Sequence, residues 1–307
     1  MISFAAMTLL EMQCRILERI SPGIPDGCSG SAYASKSKLS ILLGDGFISK
    51  IPGKTVIDFG CGDGAEAIEM AQLGASRVIG IDTREDVLQT ARQKALAAGV
   101  PALFAPSTKE LADIIVSLDS FEHFADPAGI LHVMETLLQP AGEVFISFGP
   151  TWYHPLGGHL FSVFPWAHLI FSEEALIRWR SAFKTDGATR FSEVAGGLNQ
   201  MTISRFIKLV ESSAFKVAAL ELVPIKNLRW FHNKVTREFT TAIVRCRLVK
   251  DPLMPGAGSG ERPIAHQISH ATTYGYRMHS ELMPTQATLF TSKRATAQPA
   301  KNRRPLP

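Results

Sequence analysis

Between Thr55 and Phe148 the chain alternates short apolar runs with stretches of helical periodicity, and this alternation restricts the fold more than any other feature. Strands that are followed each time by a helix must run parallel, because the chain returns to the same end of the sheet before it pairs again. The strands predicted this way are Thr55–Phe59, Arg77–Ile81, Ala102–Ala105, Asp113–Leu118 and Glu143–Phe148. Helices are predicted from about Gly64 to Leu73, from Thr83 to Ala98 and from Pro127 to Leu138, the last stopping at Gln139-Pro140-Ala141-Gly142. Thr83 with Asp86 three residues on reads as a capping box. Asp113–Leu118 is almost wholly apolar, as a strand buried on both faces must be. A helix near Thr202–Ser213 and strands at Phe215–Val223 and Thr240–Leu248 complete the pattern. The expected fold is α/β, a Rossmann-like, mostly parallel seven-stranded sheet with helices on both faces and an antiparallel final strand.

The first strand runs into Val56-Ile57-Asp58-Phe59-Gly60-Cys61-Gly62-Asp63-Gly64-Ala65. Glycines between a strand and a helix let backbone N–H groups approach a ligand with no Cβ in the way. Gly60, Gly62 and Ala65 also satisfy the dinucleotide-binding spacing, so the glycines alone leave the cofactor open between a nicotinamide dinucleotide and S-adenosylmethionine. Asp58 discriminates. Strand side chains alternate, so Asp58 points to the same side as Gly60, toward the turn. A carboxylate there opposes a pyrophosphate and favours a sulfonium and an ammonium. Asp82, at the end of the second strand, is placed to accept hydrogen bonds from ribose hydroxyls.

The segments DFGCGDG (58–64), IGIDT (79–83), DIIVSLDSFEHFADP (113–127) and LLQPAGEVFIS (137–147) together resemble the successive motifs of class I S-adenosylmethionine-dependent methyltransferases. The nearest group is the type 11 methyltransferases, which include ubiquinone and menaquinone methyltransferases. The resemblance covers about residues 54–150 strongly, 200–250 weakly and the C-terminal tail not at all. It implies that Asp58, Gly60, Cys61 and Gly62 face the methionine portion of S-adenosylmethionine. It also implies that Asp82, with Thr83 beside it, takes the ribose, and that Leu118, Asp119 and Ser120 line the methyl-transfer chamber. Members of this family often carry an acidic residue after the third strand. Here Ala105-Pro106-Ser107-Thr108-Lys109 lacks one, and Ser107 or Thr108 stands in its place near the adenine.

Two segments offer groups for the acceptor side. Glu122-His123 follows the fourth strand, at the carboxyl edge where open α/β sheets bind ligands, and His123 is a candidate base. Thr151–Phe171 holds Trp152, Tyr153, Phe161, Phe164, Trp166 and Phe171 and not one Asp, Glu, Lys or Arg. It reads either as an insertion that seals the core or as a lid over residues 151–200 that meets an apolar acceptor, with Tyr153, His154 or His159 orienting it. A base is needed only where the acceptor loses a proton. The spacing of His154, His159 and His168 fits no familiar metal site, and no metal is expected.

The 307 residues carry a formal charge of +4. Seven basic and three acidic residues lie beyond Lys250, so that segment accounts for the whole excess and residues 1–250 are formally neutral. This argues against a nucleic-acid acceptor, which calls for basic residues on the catalytic surface. Residues 1–50 read as a helical segment packed on the domain, with a weak membrane-surface or partner contact as the alternative, residues 51–250 as the catalytic domain and 251–307 as a disordered tail. Four scattered cysteines without a CxxC pair, and no run of apolar residues long enough to span a bilayer, suggest a cytoplasmic protein. The function expected is methyl transfer to a small, fairly apolar molecule, at an oxygen, nitrogen or carbon. A methyltransferase of RNA or protein recruited by the basic tail, and a non-catalytic cofactor binder, are the alternatives. The sequence does not specify the oligomeric state.

Overall fold

The computed structural model describes residues 7–23, 37–194 and 197–252. Its strands are β1 (Thr55–Phe59), β2 (Arg77–Ile81), β3 (Ala102–Ala105), β4 (Ala112–Leu118), β5 (Leu138–Phe148), β6 (Phe215–Pro224) and β7 (Thr241–Lys250). They form one sheet in the order β3-β2-β1-β4-β5-β7-β6. The pairs β1–β2, β1–β4, β2–β3 and β4–β5 are parallel, whereas β7 is antiparallel to both β5 and β6. The Rossmann-like class and the antiparallel last strand are as the sequence pattern requires.

The helices are α1 (Leu9–Ile20), α2 (Lys38–Leu43), α3 (Asp45–Ile48), α4 (Ala65–Gln72), α5 (Glu85–Ala98), α6 (Pro127–Leu137), α7 (Ala167–Ile170), α8 (Glu173–Ser181), α9 (Ile203–Glu211) and α10 (Arg237–Thr240). Alternation along β1 sends Ile57 and Phe59 into a core shared with α6 and α9, where Leu131, Met134, Phe206 and Val210 are buried. Val56 faces the other side, among Met70, Leu88 and Ala91 of α4 and α5 and Leu39 and Leu42 of α2. Asp58 shares the parity of Val56, and its place one residue before the strand end sets it beside the turn rather than deep under a helix. Each of these apolar side chains larger than alanine contributes about 1.5–3 kcal/mol by leaving water.

Two local expectations are corrected. Thr83 does not cap α5, whose N-cap is Arg84 with no side-chain cap bond. Asp82 holds this turn instead, its Oδ1 accepting from the Arg84 backbone N–H at 3.0 Å. Strand β5 begins at Leu138, not Glu143, because Leu138 still pairs with Ala112 before a register shift carries Glu143 opposite Ile114. The aromatic-rich segment 151–200 and α1 build a third apolar cluster, including Leu17, Phe161, Leu176, Trp179 and Phe191. Of the expected disordered tail, 251–307, residues 253–307 lie outside the described residues. Among the described residues no helix is long and apolar enough to cross a membrane.

Candidate functional site

The turn after β1 is pinned to the end of β2, since Gly60 N–H and Cys61 N–H both donate to the Ile81 carbonyl, at 2.8 and 3.0 Å. Gly60 has φ +83°, and a Cβ there would lie 2.6 Å from Ser120 Oγ. The glycine is therefore required both by its left-handed backbone and by the close approach of the β4 end. Ser120 Oγ donates toward the carbonyls of Gly60 and Leu118, at 3.1 and 2.9 Å, which ties that end to the turn. At Gly62 an added Cβ would meet nothing within 4 Å, so this flank of the turn is open. Cys61 is buried against Gly80. Desolvation, then the charge of Asp58, pushes its thiol far up, which keeps it neutral.

Asp58 is only 3% exposed, and its Oδ2 has no hydrogen-bond partner among the described residues. Burial, reinforced by the charge of Glu66 in the first turn of α4 and offset by Lys38, pushes its carboxyl up to about 8. Glu66 is itself raised by burial. Glu122, in the single turn after β4, accepts from Gly149 N–H at 3.3 Å and keeps Oε2 unsatisfied. Burial first, and then Asp119, push Glu122 up to about 8. Asp119 holds φ +47° at the tip of β4, fixed by its N–H donating to the Ser147 carbonyl at 2.8 Å. Lys38 Nζ lies 3.0 Å from Asp119 Oδ2 and 3.8 Å from Glu66 Oε1. Two carboxyl groups, of Asp119 and Glu66, thus flank one ammonium at the carboxyl edge of the sheet, and its charge also reaches Asp58 and Glu122.

Buried carboxyls short of partners call for positive charge and N–H donors. A ligand bearing a sulfonium and an ammonium supplies both, so the residues present fit the methionine end of S-adenosylmethionine. The ribose end is different. Asp82 Oδ1 accepts from Arg84 N and Nε, both at 3.0 Å, while Oδ2 accepts from Gly62 N at 3.1 Å and an Arg84 terminal N–H at 3.0 Å. Its acceptors are filled, and a ribose diol reaches this carboxylate only as the Arg84 fork gives way. Thr83 is exposed next to it, and Thr108 Oγ1, in the loop after β3, accepts from Glu110 N–H. Leu118 is buried at the end of β4.

On the acceptor side the structure brings His123 and His159 together, their rings edge to face with centroids 5.2 Å apart. His123 Nδ1 meets the Gly197 carbonyl at 2.6 Å. A carbonyl only accepts, so Nδ1 is the donor in this bond. His159 is driven down to about 3 and His154 to about 4, in both cases mainly by desolvation. His154 Nδ1 accepts from Leu156 N–H at 2.9 Å within its own turn. His168 is held by the Trp152 carbonyl at 2.6 Å. Tyr153 sits at the surface with its ring 5.3 Å from that of Phe239. Among the described residues no group of three His, Cys, Asp or Glu is arranged to hold a metal.

Sequence reasoning named Asp58, Asp119 and His123 but missed Lys38, Glu66 and Arg84. Lys38 arrives from a helix outside the strand pattern. Glu66 looks like an ordinary first-turn acid. Arg84 had a signal, two residues after a strand-end aspartate.

This sheet order, with a glycine turn and carboxyls at its carboxyl edge, is the architecture of class I methyltransferases. The family model of the methyltransferase domain matches residues 36–195, a little over half of the chain. Ubiquinone biosynthesis O-methyltransferase of Pseudomonas paraeruginosa (strain DSM 24068 / PA7) is 39% identical over 105 residues, 32% of this chain and 45% of that protein. The protein of the same name from Aeromonas salmonicida (strain A449) is 38% identical over 103 residues, 31% of this chain and 43% of that protein. The chain thus spans less than half the length of these curated relatives. Magnesium protoporphyrin IX methyltransferase from Synechocystis PCC 6803, solved with bound SAH, aligns over 81% of this chain and 90% of that chain, with 16% identity and a TM-score of 0.44. The chain belongs to the methyltransferase domain family, within the class I S-adenosylmethionine-dependent methyltransferases. S-adenosylmethionine is the cofactor of that domain.

Proposed function

We propose that the protein transfers a methyl group from S-adenosylmethionine to a hydroxyl oxygen of a small, fairly apolar acceptor. The observation that carries the reading is the buried, unsatisfied carboxyl of Asp58 beside the Gly60–Gly64 turn. The choice of oxygen draws on the O-methyltransferase name of relatives that match a third of the chain. Asp58, with Glu66 beside it, would hold the positive end of the cofactor, the open flank of Gly62 would admit its backbone approach, and Asp82 would take the ribose. When bound, the cofactor supplies an electrophilic methyl on a sulfonium, an inherently good leaving group. What remains for the protein is to align the acceptor and exclude water.

His123 is the assigned base. The Gly197 carbonyl fixes Nδ1 as a donor, which leaves Nε2 as the atom that would take a phenolic proton. His154 and His159, too weakly basic near neutrality, serve as neutral walls of the chamber. Tyr153 belongs to the rim. Cys14, Cys61 and Cys246 are free and buried, which supports a reducing, cytoplasmic setting.

The test is transfer of labelled methyl from S-adenosylmethionine to a panel of alkylated phenols and catechols, with peptides and RNA as further arms. Incorporation into the phenols alone supports the proposal. Labelling of RNA or peptide alone defeats the small-molecule reading, and S-adenosylhomocysteine binding without turnover on any arm identifies a non-catalytic binder.

A further inference from the structure

Strand β6 runs parallel to β1–β5, because both pair antiparallel with β7. The β6–β7 connection, residues 225–240, therefore emerges at the same carboxyl edge as the glycine turn and Glu122. It leaves Trp230 95% exposed, Val235 87% and Phe231 66%. These side chains are held outward by an internally bonded loop. Asn233 Oδ1 accepts from Val235 and Thr236 N–H at 2.8 and 3.2 Å, Leu228 N–H donates to the Ile225 carbonyl at 2.8 Å, and His232 Nδ1 meets Thr240 Oγ1 at 2.9 Å.

The charges of the same loop are one-sided. Lys226, Arg229 and Lys234 are exposed and Arg237 half-exposed, and none of the four has an ion pair among the described residues. The one carboxylate of the loop, Glu238, turns back onto α9 and accepts from Ile203 and Ser204 N–H at 3.0 and 2.8 Å. The outward face is thus apolar at its tips and positive around them. A neutral protein partner leaves those cations unmet, and an RNA leaves an aliphatic tip such as Val235 in water. An interface with anionic headgroups above hydrocarbon satisfies both.

We propose that the 225–240 loop docks on an anionic lipid bilayer, with Trp230, Phe231 and Val235 entering the interfacial layer and the four cations meeting lipid phosphates. Docking there turns the carboxyl edge of the sheet toward the membrane, since Phe239 of this loop stacks on Tyr153 at the rim. The inference stands on the surface residues and does not depend on which acceptor is methylated.

Cosedimentation of the full chain with vesicles tests it, using pure phosphatidylcholine against phosphatidylcholine mixed with phosphatidylglycerol. The wild type is expected to bind the anionic vesicles and not the neutral ones. Arg229→Ser with Lys234→Ser should weaken binding by about fivefold for each charge removed. Trp230→Ser with Phe231→Ser should weaken it at least as much, with S-adenosylhomocysteine binding retained in both variants as the check on folding. The proposal is overturned if the wild type ignores anionic vesicles, or if both variants bind like the wild type, which assigns attachment to another segment. It is overturned equally if the loop residues support self-association or RNA binding instead. Loss of S-adenosylhomocysteine binding in the wild type, with vesicle binding intact, counts against the proposed function and not against this surface.

Discussion

The ammonium of Lys38 lies 3.0 Å from Oδ2 of Asp119, joining α2 to the left-handed residue at the tip of β4. Through this pair a helix outside the strand pattern supplies the positive charge that Asp58, Glu66 and Glu122 all experience. Replacing Lys38 by Met takes away the ammonium that offsets the mutual repulsion of those carboxyls. Urea unfolding should show a loss of about 1 kcal/mol above pH 8, where the buried carboxyls ionise, and a smaller loss near pH 6.5. An equal loss at both would assign Lys38 a packing role only.

Arg84 competes with the ribose for Asp82. Arg84→Gln removes the fork but leaves the carboxylate, so S-adenosylhomocysteine should bind about fivefold more tightly, whereas Asp82→Ala should weaken binding. Calorimetric titration of both variants decides it. Weaker binding by Arg84→Gln would mean that the guanidinium holds the carboxylate in place for the ribose.

Gly60→Ala places a Cβ at φ +83° and 2.6 Å from Ser120 Oγ. The expected cost is about 1–3 kcal/mol of stability, together with loss of cofactor binding as the turn shifts away from β4. Gly62→Ala meets no neighbouring atom and carries only the strain of its φ of +53°. It should cost less stability for a comparable loss of binding, a split readable from melting curves with and without S-adenosylhomocysteine.

Buried groups give the fold a definite pH response. Asp58 and Glu122 titrate near 8 when folded, against ordinary values of 3.8 and 4.5. The folded chain therefore holds more protons than the unfolded one between those limits, and each group's contribution to stability falls as pH rises, by up to ~1.4 kcal/mol per pH unit. His154 and His159 act oppositely, being depressed to about 4 and 3, but only below 6.5 where the unfolded imidazoles charge. Between pH 6.5 and 8 the carboxyls act without that opposition, and stability measured by urea titration should decline across this window. Asp58→Asn should flatten part of the decline.

Most of the sheet was legible because β1, β2 and β4 are largely buried on both faces and read as short, mostly apolar runs. The turn was legible because glycine spacing reports backbone geometry directly. Thr83 misled, since its spacing to Asp86 mimics a cap while Asp82 bonds the same turn from one residue earlier. The early start of β5 was hidden by Pro140 and Gly142, which signal a turn but here lie in the irregular stretch beside Ala112. The charge cluster was only half visible. Asp58, Asp119 and Glu122 sit at or just after strand ends that the pattern locates, whereas Lys38 and Arg84 reach their partners through side-chain directions that no periodicity encodes. His123 was visible as a candidate base, whereas the weak basicity of His154 and His159 was not, because it depends on burial.

The central claim is that Asp58 greets the positive end of the methyl donor, and titration of S-adenosylhomocysteine into wild type and Asp58→Asn on either side of pH 8 tests it most directly. Its ammonium should draw a proton off the raised carboxyl, so wild-type affinity should rise toward pH 8 with proton release. The asparagine variant should bind weakly and lose most of that pH dependence. Equal binding by the two proteins, with the same pH response, would contradict the account.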